Sequence, residues 1–278
     1  MAISSTFSFP SPDGTGLVGD WYLAGSSRGV ALIVHGYAEH AGRYAEVAGQ
    51  LCDEQLDVLA FDVRGHGRSA GRRGHCREFK EFIGDYDAAY EQALRRAEGK
   101  PVIVVGHSHG SLIVLRALCR GDKPLPKAAI VSSPFLGLKL QISPFTRVAG
   151  EIASRVWPSL AFPNKLVVED LTTDPAKQDE RRRDQFCNTV ATARWFTEAT
   201  RAQAETLAMA EQITTPTCWL VAGDDPIADA AAARRVQRSL KAQSEFHELA
   251  GFRHEVFNEA QRSVPFALMR KFIKHQLT

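Results

Sequence analysis

Val102-Ile-Val-Val105 runs directly into Gly106-His-Ser-His-Gly110. Four β-branched residues in succession read as a strand buried on both faces. The run Ser111–Arg120 that follows places leucine at 112, 115 and 118, a helical spacing. Gly-x-Ser-x-Gly between a strand and a helix is the setting of a sharp turn that lifts a serine hydroxyl above a sheet. The residues two before and two after the serine must nearly lack side chains, and Gly106 and Gly110 meet that demand. Ser108 is therefore a candidate nucleophile. The plainer reading is a glycine-rich turn whose serine caps a helix, so the rest of the chain has to decide.

Upstream, Phe7–Phe9 and Leu17–Leu23 read as antiparallel strands joined at Pro12-Asp-Gly14. Val30–Val34 and Val58–Phe61 are further strands, the first apolar enough to be buried on both faces. Arg43–Gln55 and Phe79–Ala97 suit helices, the second stopped by Gly99 and Pro101. Downstream come strands at Ala128–Val131, Thr217–Val221 and Glu245–Leu249, and a terminal helix over 258–277. Strands alternating with helices imply an α/β architecture, a mostly parallel sheet flanked by helices. The alternation fails over 134–206, where Pro-punctuated apolar pieces precede a charged run and more helix. That stretch is expected to be a helical cap inserted into a core of 1–133 and 207–278, over the strand ends where ligands bind.

The chain has 278 residues, 44% hydrophobic and 24% charged, which is ordinary for a globular protein. A net charge of +2 is too weak a bias to suggest nucleic acid as a partner. Five scattered cysteines without a Cys-x-x-Cys pair argue against structural zinc or a disulfide framework. With no run long enough to span a membrane and no secretory start, a cytoplasmic location is expected. Nothing in the sequence assigns an oligomeric state.

A serine hydroxyl needs a base within hydrogen-bond reach, a carboxylate to orient that base, and N–H donors for the developing oxyanion. On a strand–turn–helix nucleophile the chain order is serine, acid, histidine. His254, in Gly251-Phe-Arg-His-Glu255 between the last strand and the last helix, stands at the right place. His247 within a strand and His275 at a helix end do not. For the acid, the strand at 217–221 ends in Ala222-Gly-Asp-Asp-Pro-Ile-Ala-Asp229. Adjacent carboxylates repel, so one is expected to face the histidine and the other to cap or meet solvent. Asp225 is favoured and Asp224 is second. Asp229 reads as a helix N-cap. The backbone N–H of His109, next to the nucleophile, and that of Tyr37, after His35-Gly36, are the expected oxyanion donors. Neither metal nor organic cofactor is required by this chemistry.

His35-Gly-Tyr-Ala-Glu-His-Ala-Gly-Arg-Tyr44, Asp62-Val-Arg-Gly-His-Gly-Arg-Ser69, Gly106–Gly110, Ala222–Asp229 and Gly251–Glu255 resemble the monoacylglycerol lipase and lysophospholipase group of the α/β-hydrolase superfamily. The likeness covers nearly the whole chain, least of all 134–206. It implies a serine carboxylic-ester hydrolase acting through an acyl-enzyme on a small ester or lipid, either a monoacylglycerol or a lysophospholipid. It also implies that the acid precedes an x-Ile pair, as Asp225-Pro-Ile227 does, and that Tyr37 and His109 hold the oxyanion positions. Alternatives are a general short-chain carboxylesterase or, in another class, a hydrolase fold that binds a small ligand without catalysis. The chain departs from the group's pattern at Tyr37, His109 and Ser111, where a small residue, Met and Gly are usual. An aromatic at 37 is expected to narrow the entrance or reshape the acyl side.

Two further stretches invite functional readings. Arg64-Gly-His-Gly-Arg68 has the glycines and arginines of an anion site, but a loop shaped by glycine in which Asp62 pairs with a neighbouring arginine is simpler. Phe145, Val148, Ala149, Ile152 and Val156 follow helical spacing, with Trp157 just beyond. These belong to a cap helix on the core, and Phe145, Ile152 and Trp157 are its candidate substrate contacts. A transient contact of the cap with a membrane surface is a further expectation. Arg181–Arg183, flanked by acids, reads as a solvated face.

Overall fold

The apolar runs become the middle of one eight-stranded sheet in the computed structural model, which describes residues 4–122, 124–139 and 144–278, the side chains of 144–147 excepted. The strands are β1 (Ser5–Pro10), β2 (Gly16–Tyr22), β3 (Gly29–Val34), β4 (Leu56–Asp62), β5 (Val102–His107), β6 (Ala128–Ser132), β7 (Ala161–Pro163), β8 (Val190–Thr192), β9 (Thr217–Ala222) and β10 (Ser244–Leu249). Their order across the sheet is β1-β2-β4-β3-β5-β6-β9-β10. The first two pairings, β1–β2 and β2–β4, are antiparallel and the other five are parallel. This is the α/β-hydrolase fold.

Every residue of β3, β4, β5, β6 and β9 is buried, as expected of strands covered on both faces. Helices supply the cover: α1 (Ala45–Asp53), α2 (Lys80–Ala97), α3 (His109–Leu118), α4 (Pro144–Val156), α5 (Val168–Leu171), α6 (Pro175–Arg183), α7 (Ala193–Met209), α8 (Ala230–Arg238) and α9 (Ser263–Leu277). The period-2 alternation of a strand divides β3 between two cores. Val30, Leu32 and Val34 pack with α2, α3 and α8. Ala31 and Ile33 pack with Val47 and Leu51 of α1 and with Met269 and Phe272 of α9. Burying each large aliphatic side chain contributes about 1.5–3 kcal/mol, so these two layers hold the sheet rigid beneath the loops.

The strand order positions the site. From β3 the chain moves to one side, to β4, and then crosses to β5 on the other. The loops leaving β3 and β5 therefore diverge, and a crevice opens between them at the carboxyl ends of the strands. Tyr37 and Ser108 lie on those two loops.

Several boundaries differ from expectation. The terminal helix starts at Ser263 instead of 258, because 256–258 form a 3-10 turn. Pro265 then falls in the first turn of α9, where a missing N–H is tolerated. The elbow helix begins at His109, immediately after the serine. The segment between β6 and β9 carries α4 to α7 and a two-stranded ribbon of β7 and β8 that the sequence did not suggest. The boundary expected at 206 falls inside α7, which continues to Met209 and packs on α3.

Candidate active site

At the elbow, Ser108 has φ +50° and ψ −114°, an orientation that only a tight surround maintains. A Cβ added at Gly106 would lie 2.8 Å from the Cα of Ser111, and one at Gly110 would strike the carbonyls of Val34 and His35. Both glycines are there because backbone occupies the space a side chain would need. The Ser108 N–H donates to the Ser132 carbonyl of β6, 2.9 Å away, and its carbonyl accepts from Phe135 and Leu112. The backbone of Ser108 is thus fixed on both sides.

Ser108 Oγ lies 2.8 Å from His254 Nε2, and His254 Nδ1 lies 2.7 Å from Asp225 Oδ2. The other carboxylate oxygen, Oδ1, accepts from the N–H groups of Ile227 and Ala228. All three side chains are buried, and Ser108 is only 7% exposed. Asp224, by contrast, is exposed, and its N–H donates to the Phe252 carbonyl. The structure therefore brings Asp225 to the histidine and turns Asp224 away. Asp229 caps α8 through the N–H of Ala231.

Electrostatics separate one imidazole from its neighbours. Burial pushes His107 down to about 4, lowers His35 and takes His109 well below its ordinary value, so these rings are neutral near pH 7. Burial also opposes charge on His254, yet the carboxylate of Asp225 outweighs it and raises the ring above its ordinary value. Asp225 shows the converse. Burial would raise its carboxyl, but His254 and the two backbone donors hold it below the usual range. Of His35, His107, His109 and His254, only His254 is held above its ordinary value, because the pull of Asp225 outweighs its burial.

The loop after β3 is built to bring an N–H close. His35 Nδ1–H donates to the Gly36 carbonyl at 2.7 Å, while its Nε2 accepts from the Val63 N–H. A Cβ at Gly36 would stand 3.0 Å from the His107 ring and 3.2 Å from Ser108 Cβ, so the chain passes directly against Ser108. Tyr37 follows on this loop, and His109 opens α3. Among the described residues neither N–H is bonded to another protein group. Two main-chain donors thus border the serine. The arrangement can take the proton of Ser108, hold it on an oriented imidazole, and meet a developing oxyanion.

The sequence reading missed the charged network behind these loops. Glu39 accepts from the Gly36 N–H at 2.5 Å, from the Tyr44 hydroxyl at 2.6 Å and from Arg43 at 3.1 Å. Arg43 in turn binds both oxygens of Glu255, the residue beside His254. Burial raises both carboxyls, but His107 and Arg43 bring Glu39 below its ordinary range and Arg43 brings Glu255 to about 2. The sequence signal was present in Glu39, Arg43 and Tyr44 of the 35–44 motif, although nothing local names Glu255 as their partner.

Trp195 and Phe135, which the sequence did not single out as site residues, lie close to the elbow. Trp195 of α7 stacks on Tyr37 at 3.8 Å between centroids and on Phe135 at 6.1 Å. Its indole N–H donates to His109 Nε2 at 3.3 Å. Ile152 and Trp157, the expected substrate contacts, are 55% and 61% exposed. The side chain of Phe145 lies outside the described residues.

The arginines of the 64–68 loop serve the fold. Arg64 is engaged by Asp85, Asp13 and Ser11, and Arg68 by Asp62 and Asp20. Arg182 pairs with Asp179 and Glu169 as a solvated residue would, but Arg181 turns inward to the Ala38 carbonyl and Cys187. His40, Asp184 and Cys187 bring three metal-ligand atoms together, yet Arg181 already places a guanidinium 2.5 Å from the Cys187 sulfur. Cys218, Glu245 and His247 form a second such group, on β9 and β10.

The chain is 27% identical to phospholipase YtpA of Bacillus subtilis, over 87% of this chain and 94% of that one. It is 29% identical to a monoacylglycerol lipase of Mycolicibacterium smegmatis, over 94% and 93%. The crystal structure of Paleococcus ferrophilus monoacylglycerol lipase superposes with a TM-score of 0.83 at 27% identity, covering 94% of this chain and 98% of that one. Residues 25–261 match the family model described as serine aminopeptidase, S33. The chain belongs to that family, and is a serine hydrolase of the α/β-hydrolase fold.

Proposed function

We propose that the protein hydrolyses carboxylic esters through an acyl-serine intermediate, with monoacylglycerols or lysophospholipids as substrates, and that residues 134–206 form a cap over the site. The observation that carries this is the buried pair of hydrogen bonds, 2.8 and 2.7 Å, joining Ser108 to His254 and His254 to Asp225. His254 takes the Ser108 proton as Oγ attacks the ester carbonyl carbon. Asp225 holds the Nδ1–H tautomer and stabilises the imidazolium. The N–H groups of Tyr37 and His109 receive the oxyanion. His254 then protonates the departing alcohol, and a water activated by the same ring releases the acid.

The lipid substrate class rests on the names of the relatives and on the exposed apolar residues of the cap. The exposed apolar side chains of Val156 and Trp157 are the surface that would meet a lipid layer. The five free thiols suit a reducing compartment such as the cytoplasm. A short-chain carboxylesterase is the second reading, favoured by the bulk of Tyr37, Trp195 and Phe135 beside the nucleophile. A panel of p-nitrophenyl esters from acetyl to palmitoyl, run beside monoacylglycerols and lysophospholipids, decides between them. Ser108→Ala is expected to abolish all turnover without altering the fold, and residual turnover in that variant would remove Ser108 from its role.

A further inference from the structure

The N–H groups assigned to the oxyanion are main chain, yet both residues that bear them send side chains into the cap. The Tyr37 hydroxyl donates to the Val190 carbonyl of β8, and the ring lies flat on Trp195 of α7. The same indole donates to the imidazole of His109. A third tie runs to the residue after Tyr37, where Arg181 of α6 donates to the Ala38 carbonyl at 2.7 Å. Ala38 has φ +61°, a conformation disfavoured for a residue with a Cβ and retained only where the surroundings enforce it.

The cap strand is itself anchored at this point. Thr192 donates to the Gly74 carbonyl through its N–H at 2.9 Å and its hydroxyl at 3.1 Å. Gly74 has φ +61°, and a Cβ there would run into the Val190 carbonyl and stand 2.6 Å from the Tyr37 hydroxyl oxygen. The 71–75 loop, β8 and the phenol therefore meet with no spare volume. Ser108, His254 and Asp225 take none of their hydrogen bonds from this seam.

We propose that Tyr37 is a positioning residue through which the cap sets the oxyanion hole: the bonds to Val190 and from Arg181 hold residues 36–38 in the turn that aims the Tyr37 N–H at the substrate oxygen. With the cap seated, both donors are in place. When the cap moves, Val190 and Trp195 move with it, the turn relaxes, and the hole is lost while the serine and histidine remain paired. This rests on the ester-hydrolase reading and adds that the oxyanion site is conditional on the cap.

Tyr37→Phe keeps the ring and removes the bond to Val190, and Arg181→Met removes the bond to Ala38. For the wild type and both variants, three properties are measured: the rate of Ser108 labelling by a fluorophosphonate, kcat and KM on p-nitrophenyl butyrate, and affinity for an alkyl trifluoromethyl ketone. In the last, Ser108 Oγ adds to the carbonyl carbon, its proton passes to His254, and the former carbonyl oxygen becomes an oxyanion in the hole. Each variant is expected to lose roughly 10- to 100-fold in kcat and labelling rate, less than the ~10²–10³-fold that follows loss of a whole donor. Affinity for the ketone should fall by the same factor, with KM, Tm and the acid limb of the pH profile unchanged.

An unchanged kcat in Tyr37→Phe overturns the proposal. So does a loss of kcat without a matching loss of ketone affinity, or one that follows a fall in Tm, since either marks a packing role. Should Tyr37→Phe fail to fold, Arg181→Met is scored by the same criteria. A wild type that is labelled but hydrolyses no ester defeats the functional reading alone, because the labelling rates still score the coupling. A wild type that is not labelled defeats both.

Discussion

Arg43 holds both carboxylate oxygens of Glu255, at 2.7 and 2.8 Å, across 212 residues of sequence. The pair joins the loop after β3, which carries Tyr37, to the loop after β10, which carries His254. Through Glu39 the same guanidinium is linked to the N–H of Gly36. The proposed oxyanion turn and the proposed base are therefore set relative to each other by one buried ion network.

Removing the cation should expose how much the fold relies on it. Arg43→Met leaves Glu39 and Glu255 buried without their partner, a defect worth about 3–5 kcal/mol. The sign of the pH dependence follows from Glu255, which Arg43 holds at about 2 against an ordinary value of 4.5. A depressed carboxyl contributes stability that is complete above its unfolded value and disappears as pH falls through the folded one. Chemical denaturation should show the gap between wild type and Arg43→Met at its widest near neutrality, narrowing as pH falls from about 4.5 toward 2. A gap independent of pH would refute the network's role.

Much of the architecture is readable from local signals, and its limits are physical. Val30–Val34 and Val102–Val105 announce themselves because a strand covered on both faces must be apolar throughout. Gly106 and Gly110 announce the turn because main chain fills the space beside them. Asp225 and Asp224 are less separable: only burial against His254, a tertiary fact, distinguishes two adjacent aspartates. Trp195 gave no hint that it would lie on Tyr37, since its place in α7 is equally compatible with ordinary core packing. The ribbon of β7 and β8 has three residues a strand, too few for an alternating pattern to register. Glu255 was visible only as the neighbour of a histidine.

Asp225 should control both the size and the pH position of the rate. The proposed reaction needs neutral His254, so kcat/KM should rise with pH through the value of that group, which Asp225 raises above its ordinary value. Asp225→Asn removes the stabilised imidazolium and the enforced tautomer, for which a loss of ~10⁴ in kcat is expected. The residual activity should also titrate at lower pH. Profiles of kcat/KM from roughly pH 5 to 8 for both proteins test this. An acid limb that stays in place would show that Asp225 does not face the working base.

Two glycine-to-alanine changes should move stability in opposite directions. At Gly110 the new methyl meets the carbonyls of Val34 and His35, which β3 cannot shift. A loss at or above the upper end of the ~1–3 kcal/mol range for overpacking is expected. Gly150, inside α4, has nothing within 4 Å of its added Cβ, so alanine there should stabilise by about 0.5–1 kcal/mol. Denaturant midpoints of the two variants give the comparison, and a tolerated Gly110→Ala would contradict the close approach of α3 to β3.

The outer face of the proposed cap should matter only when substrate is presented in a lipid surface. Val156 is 80% exposed and Trp157 is 61% exposed, with Ile152 one turn earlier on α4. Apolar side chains left in water at the end of a helix gain free energy by entering an acyl layer, by about 25 cal/mol for each Å² withdrawn from water. Replacing Val156 and Trp157 together by Ser should therefore lower the rate on monoacylglycerol in vesicles, roughly 10-fold if about 60 Å² of apolar contact is lost. Turnover of soluble p-nitrophenyl butyrate and the Tm should be unaffected, because neither residue supports the core. An equal loss on both substrates would assign these residues to the cap's internal architecture, and no loss on either would leave the lipid surface to some other face.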